Sequence, residues 1–87
     1  MDTYTFILLY RGGSYVSQYS GERLYVAFMA WLIEQKPSVA SAFKGEVSSL
    51  TAVSSFPGHA PVKGVWFADA LVGKKGHYTQ LHIVRTV

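Results

Sequence analysis

From Tyr4 to Tyr10 the chain alternates, with Tyr4, Phe6, Leu8 and Tyr10 on one side and Thr5, Ile7 and Leu9 on the other. After Arg11-Gly12-Gly13-Ser14 it continues as Tyr15-Val16-Ser17-Gln18-Tyr19. A period of two among aromatic and β-branched residues predicts strands, and paired glycines that can both take positive φ predict a type I′ hairpin turn between them. A Gly12-Gly13 turn sets Tyr10 opposite Tyr15, Leu8 opposite Ser17 and Phe6 opposite Tyr19, with Leu9 opposite Val16 on the other face. Both faces then carry apolar groups. The hairpin therefore sits centrally in a sheet, or its outer face meets another subunit.

Next the period changes to that of a helix. Leu24, Ala27, Phe28, Trp31 and Leu32 fall on one stripe, as packing on a sheet requires. Ser20 is the N-cap candidate, Glu22 lies near the positive end of the dipole, and Pro37 ends the helix, so the predicted span is Gly21 to Lys36. Tyr25, Val26, Met29 and Ile33 are apolar too but lie largely outside that stripe. Either the following segment folds over them or a second subunit does, which makes Tyr25, Met29 and Ile33 the interface candidates.

Beyond Pro37 the pattern weakens. Pro37 suits the first turn of a short second helix with Val39, Ala40 and Phe43 inward and Gly45 as its cap, whereas Glu46 to Ser55 leaves helix, strand and loop open. Phe56-Pro57-Gly58-His59-Ala60-Pro61 reads as a turn or loop. A second hairpin follows, Val65 to Val72 and His77 to Thr86 around Gly73-Lys74-Lys75-Gly76. Pairing Val72 with His77 puts Trp66, Ala68, Ala70, Thr79, Leu81 and Ile83 on the helix side, where Trp66 is expected to meet Trp31. Phe67, Asp69, Leu71, Tyr78, Gln80, His82 and Val84 then lie on the outer side.

The order β-β-α-(short helix or loop)-β-β predicts one small α+β domain over residues 1–87. Its simplest form is a two-layer, four-stranded antiparallel sheet of two hairpins joined through the first and last strands, with one main helix across one face. In Tyr10-Arg11-Gly12-Gly13-Ser14-Tyr15-Val16-Ser17-Gln18 the chain resembles a group of small uncharacterised bacterial proteins that open with a Tyr-Arg-Gly-Gly-(Ser/Thr)-Tyr-(Ile/Val)-Ser-Gln hairpin. Trp66 and the ending Val84-Arg85-Thr86 are similar to theirs as well. The resemblance covers about a quarter of the chain, implies a compact α+β fold and a bacterial source, and brings no activity.

Composition sharpens the question of association. With 49% apolar and only 15% charged residues, an 87-residue chain has more apolar surface than one small core absorbs. There is no cysteine, hence no disulfide and no thiolate metal site. The N-terminal run alternates and lacks a cleavage-site pattern, and Leu24 to Ile33 is half the length of a spanning helix. A cytoplasmic protein without membrane contact is the expectation.

Chemistry-bearing residues are sparse. His59, His77 and His82 have no metal-ligand spacing, and His77 and His82 point to opposite faces of one strand, so each reads as surface or structural. Asp69 with His82 is the best polar pair, and its ordinary reading is a cross-strand contact. Five acidic residues spread along the chain, the absence of a Gly-x-Ser-x-Gly elbow, and glycines placed in hairpin turns rather than at a helix start argue against an enzyme and against a bound cofactor. Two functions remain. One is a non-catalytic protein-interaction module, homodimeric, of a size that suits a regulatory, immunity or antitoxin protein. The other is a single-stranded nucleic-acid binder using Tyr15, Tyr19, Phe67 and Tyr78 with Arg11, Lys74 and Lys75, a reading that the net charge of +3 permits without demanding.

Overall fold

The computed structural model describes residues 1–44, 50–54, 58 and 60–86. Five strands, β1 (Asp2–Tyr10), β2 (Gly13–Gly21), β3 (Thr51–Ser54), β4 (Pro61–Val72) and β5 (His77–Arg85), form one antiparallel sheet in the order β2-β1-β5-β4-β3. Two helices, α1 (Leu24–Ile33) and α2 (Pro37–Phe43), cover one face: α1 packs mainly over β2, α2 over β4. The fold is α+β. The two hairpins join through β1 and β5 as the sequence indicates, and β3 adds a fifth strand at the far edge, inside the stretch whose pattern was open. The expected Gly45 cap, His59 and the Phe56-Pro57 part of the loop lie outside the described residues.

In the first hairpin the turn residues are Arg11 and Gly12, not Gly12 and Gly13. Arg11 has φ 50° and Gly12 φ 79°, and Tyr10 faces Gly13, Leu8 faces Tyr15, Phe6 faces Ser17 and Tyr4 faces Tyr19. Every partner moves by two, so each side chain keeps its face. The Tyr15 ring lies over Gly13, where a Cβ would come within 2.9 Å of the ring's far end, a flexible group that would have to move aside. Arg11 then bears the left-handed conformation, at a cost of about 1 to 2 kcal/mol.

Ser20 is not a helix cap. It belongs to β2, opposite Thr3, whose Oγ1 lies 3.1 Å from the Ser20 hydroxyl oxygen, and the strand runs on until Gly21 faces Asp2. The helix therefore starts later than predicted, behind Arg23, whose side chain makes no capping bond. Gly21 permits the tight entry: a Cβ on it would meet the Ala27 backbone nitrogen and the Val26 Cβ at 2.9 Å. At the other end Pro37 occupies the first turn of α2 and holds Lys36 at ψ 147°, so α1 stops before it, at Ile33.

Between sheet and helices lies a core of Tyr4, Phe6, Leu8, Ala27, Phe28, Trp31, Leu32, Val39, Phe43, Ala68, Val72, Leu81 and Ile83. Trp31 is its hub, stacked on Phe6 with ring centroids 5.6 Å apart and touching Phe28 and Phe43 at 5.8 Å each. Trp66 does not pair with it. In the row Phe6, Ile83, Trp66 the Ile83 side chain stands between the tryptophan and Phe6, and Trp66 packs on Tyr4 of β1 instead at 5.9 Å. The second hairpin pairs Val72 with His77 as expected, and Thr79, Leu81 and Ile83 are fully buried. Pro61 opens β4 as its first residue, a place where a missing N–H is tolerated.

Because Asn-Gly relieves the strain that Arg11-Gly12 carries, Arg11→Asn should stabilise the chain by about 0.5 to 1 kcal/mol, read as a rise in the urea midpoint with an unchanged slope.

Candidate interaction surfaces

Tyr25, Val26, Met29 and Ile33 are 52%, 44%, 38% and 79% exposed in a helix that is apolar all round. Such a helix is normally enclosed. α2 does not enclose this one: it leaves a groove lined by Met29, Leu32 and Ile33 on α1 and by Ala40, Ser41 and Lys44 across from them. The three predicted interface residues thus lie together, and Val26 extends their stripe at helical spacing.

The other face of the sheet bears no helix among the described residues. Its rows read Val16, Ile7, His82, Phe67 and Ser14, Leu9, Gln80, Asp69. Along the first, the His82 ring packs on Phe67 with centroids 5.0 Å apart. In the second hairpin Tyr78 Oη donates to Asp69 Oδ2 at 2.8 Å, so Asp69 is engaged by tyrosine and not by His82, and the two predicted polar partners do not join. Gln80 Nε2 donates to the same phenol oxygen at 3.4 Å. His77 lies on the helix side, its ring edge-on to Tyr10 at 6.5 Å, so the two histidines do point to opposite faces. Among the described residues no group of three His, Asp or Glu side chains is placed to hold a metal, and no helix is long and apolar enough to cross a membrane.

The residues of the nucleic-acid reading divide. Tyr15 and Tyr19 are on the helix side, Tyr19 edge-on to Phe6 at 5.8 Å and Tyr15 lining a recess with Leu8, Tyr10, Gln35, Lys36 and Val39. Phe67 and Tyr78 are on the open face, so the four aromatics make no single platform. The basic residues do gather. β1 and β5 run antiparallel, which brings both hairpin tips, and with them Arg11, Lys74 and Lys75, to one end of the sheet. Arg11 and Tyr78 share a shallow depression there with Leu9, Ser14 and Gln80. Lys36, which only the folded chain brings to the recess beside Tyr15, adds to that end.

Comparison with protein-family models, with curated proteins and with solved structures finds no match.

Among the described residues one ionisable group is clearly displaced. Burial, seconded by the neighbouring Asp2 carboxylate, pushes the Tyr4 phenol above its ordinary value of 10.0, Arg85 opposing. The neutral phenol is favoured in the folded chain, so its contribution is complete below the unfolded pKa and disappears as pH rises through the folded one. Urea melts should show stability falling above pH 10, and Tyr4→Phe should remove that part of the slope.

Proposed function

We propose that this chain is a small non-catalytic protein-interaction module that works as a homodimer. The observation that carries the reading is the apolar stripe of α1: four large side chains held outward by a helix whose opposite side is locked into the core through Trp31 and Phe28. In an 87-residue chain, apolar surface presented on a rigid helix is what a regulator acting by contact needs, and protein interfaces place such patches at their centres. A bacterial regulator of the immunity or antitoxin kind, resident in the cytoplasm, fits this build. The helix needs no cofactor to present its stripe.

A second reading has one observation in its favour, the gathering of Arg11, Lys74, Lys75 and Tyr78 at one end of the sheet. A single strand binding there would use phosphate attraction first and stacking on Tyr78 second.

Light scattering across dilution tests the first reading, with a dimer expected that dissociates on dilution; a monomer persisting at high concentration would overturn it. Replacing Tyr25, Met29 and Ile33 by serine should alter the stability of the diluted monomer by less than about 0.5 kcal/mol each, because they contribute contact surface and not core; losses above that would place them inside the fold. For the second reading, fluorescently labelled mixed-sequence oligonucleotides at low salt should bind and be released by salt, with Lys74→Glu/Lys75→Glu abolishing the signal. No binding at low salt would dismiss it.

A further inference from the structure

The two edges of the sheet are built differently. β3 is four residues long and its register with β4 shifts between Ala52 and Ser54, while β4 beside it opens with Pro61, Val62 and Lys63. A short strand, an irregular ladder, a proline and a charge are the usual means of keeping an edge from pairing with another chain. β2 has none of them. It is nine residues long, GSYVSQYSG, without a charge or a proline and in unbroken register with β1. The i to i+3 bond of its turn makes Tyr10 and Gly13 a bonded pair. Alternation along the ladder then aims the N–H and C=O groups of Ser14, Val16, Gln18 and Ser20 at the open edge. All four residues are exposed.

An independent observation concerns α1, which stands over β2. Met29, Leu32 and Ile33 form its flank toward α2, so the opposite flank, with Arg23, Ala30 and Glu34 at helical spacing, overlooks the β2 edge. Arg23 and Glu34 are both exposed, and both are at the wrong pole. Arg23 is the N-cap and Glu34 the C-cap, with no acidic residue in the first turn and no basic one in the last. Each charge faces the dipole end of its own sign, which within one chain costs stability. Across a two-fold axis the same placement becomes complementary. Arg23 and Glu34 lie equally far from the midpoint between Phe28 and Met29. An antiparallel second α1 therefore sets each arginine against a glutamate.

We propose that a second copy of this chain occupies the β2 edge. The two β2 strands pair antiparallel about a two-fold axis and make one continuous sheet, above which Arg23 of each copy meets Glu34 of the other. This rests on the homodimer reading and places its interface at the β2 edge and not at the α1 stripe. Met29 and Ile33 of each copy, with Tyr25 at helical spacing beside them, stay on the flank toward α2, away from the two-fold axis and free for a different protein.

Light scattering and dilution melts of six proteins test it. The parent should be a dimer. Gln18→Pro, which removes an outward N–H that the pairing with β1 does not use, and Val16→Lys, which sets a charge along the edge, should each be folded monomers by circular dichroism. Arg23→Glu should weaken the dimer about tenfold or more, yet raise the melting temperature of the diluted monomer because it corrects the dipole. Arg23→Glu/Glu34→Arg should restore the parent's dissociation constant, and Tyr25→Asp should leave it unchanged. A dimer that survives both Gln18→Pro and Val16→Lys overturns the proposal, as does a double variant that fails to restore association. If Tyr25→Asp dissolves the dimer while the edge variants do not, the homodimer reading stands and this surface is wrong; a monomeric parent removes both.

Discussion

Everything in this fold hangs on the pairing of β1 with β5. β2 is held to the sheet only by β1, and β4 with β3 only by β5, so the β1–β5 ladder is the seam between two otherwise local hairpins. Its closure joins residues near opposite ends of the chain, with Tyr4 facing Arg85 and Leu8 facing Leu81. A contact so distant in sequence forms only if apolar burial offsets the loop entropy. That burial is local to the seam: Phe6 and Ile83 lie side by side on it, both fully buried, and Trp31 stacks on Phe6 from above. Helix α1, packed mainly over β2, clamps the β1 side of this seam through Trp31.

The clamp explains how one helix serves two purposes. Ala27, Phe28, Trp31 and Leu32 take the side toward the seam, which fixes the helix rigidly enough to present its remaining surface without further support. Tyr25, Val26, Met29 and Ile33 then face outward in a defined geometry. In the role proposed for them they need no ordering on binding, whereas a loop would.

Much of this was legible in the sequence because period and turn chemistry carry it. Alternation fixed the faces of both hairpins, and the small alanines Ala68 and Ala70 marked where the helix layer comes down. What escaped was decided by contacts between residues that spacing does not connect. The turn sits at Arg11-Gly12, and a shift of partners by two keeps every side chain on its face, so the alternation does not distinguish the two registers. The helix begins after Gly21 and not at Ser20 because Thr3 and Asp2 claim the end of β2 for the sheet, a pairing partner some 17 residues away. Trp31 and Trp66 occupy the same layer but not the same contact, since Ile83 of the intervening β5 stands between Trp66 and the Phe6 on which Trp31 stacks, and a shared face does not tell which side chains on it touch. The same limit applies to the surfaces: Tyr25, Met29 and Ile33 were readable from helical spacing, whereas the meeting of Arg11 with Lys74 and Lys75 needs the antiparallel run of β1 and β5.

The departures from local preference are not spread evenly. Arg11 in a left-handed turn, an edge strand without charge or proline, Arg23 and Glu34 at the wrong poles of their helix and an apolar helix left open all belong to the half made of β1, β2 and α1. Among the described residues of the other half, which has its own departures in the positive φ of Gly64 within β4 and the exposed Leu71, the edge strand is short, proline stands at a strand start, glycines take the positive φ at Gly73 and Gly76, and the buried hydroxyl of Thr79 donates to the carbonyl of His77. Where sequence and local physics agree, the structure alone accounts for the residues. Where they disagree, the monomer leaves local preferences unmet, and it is on these that the proposed pairing with a second copy rests.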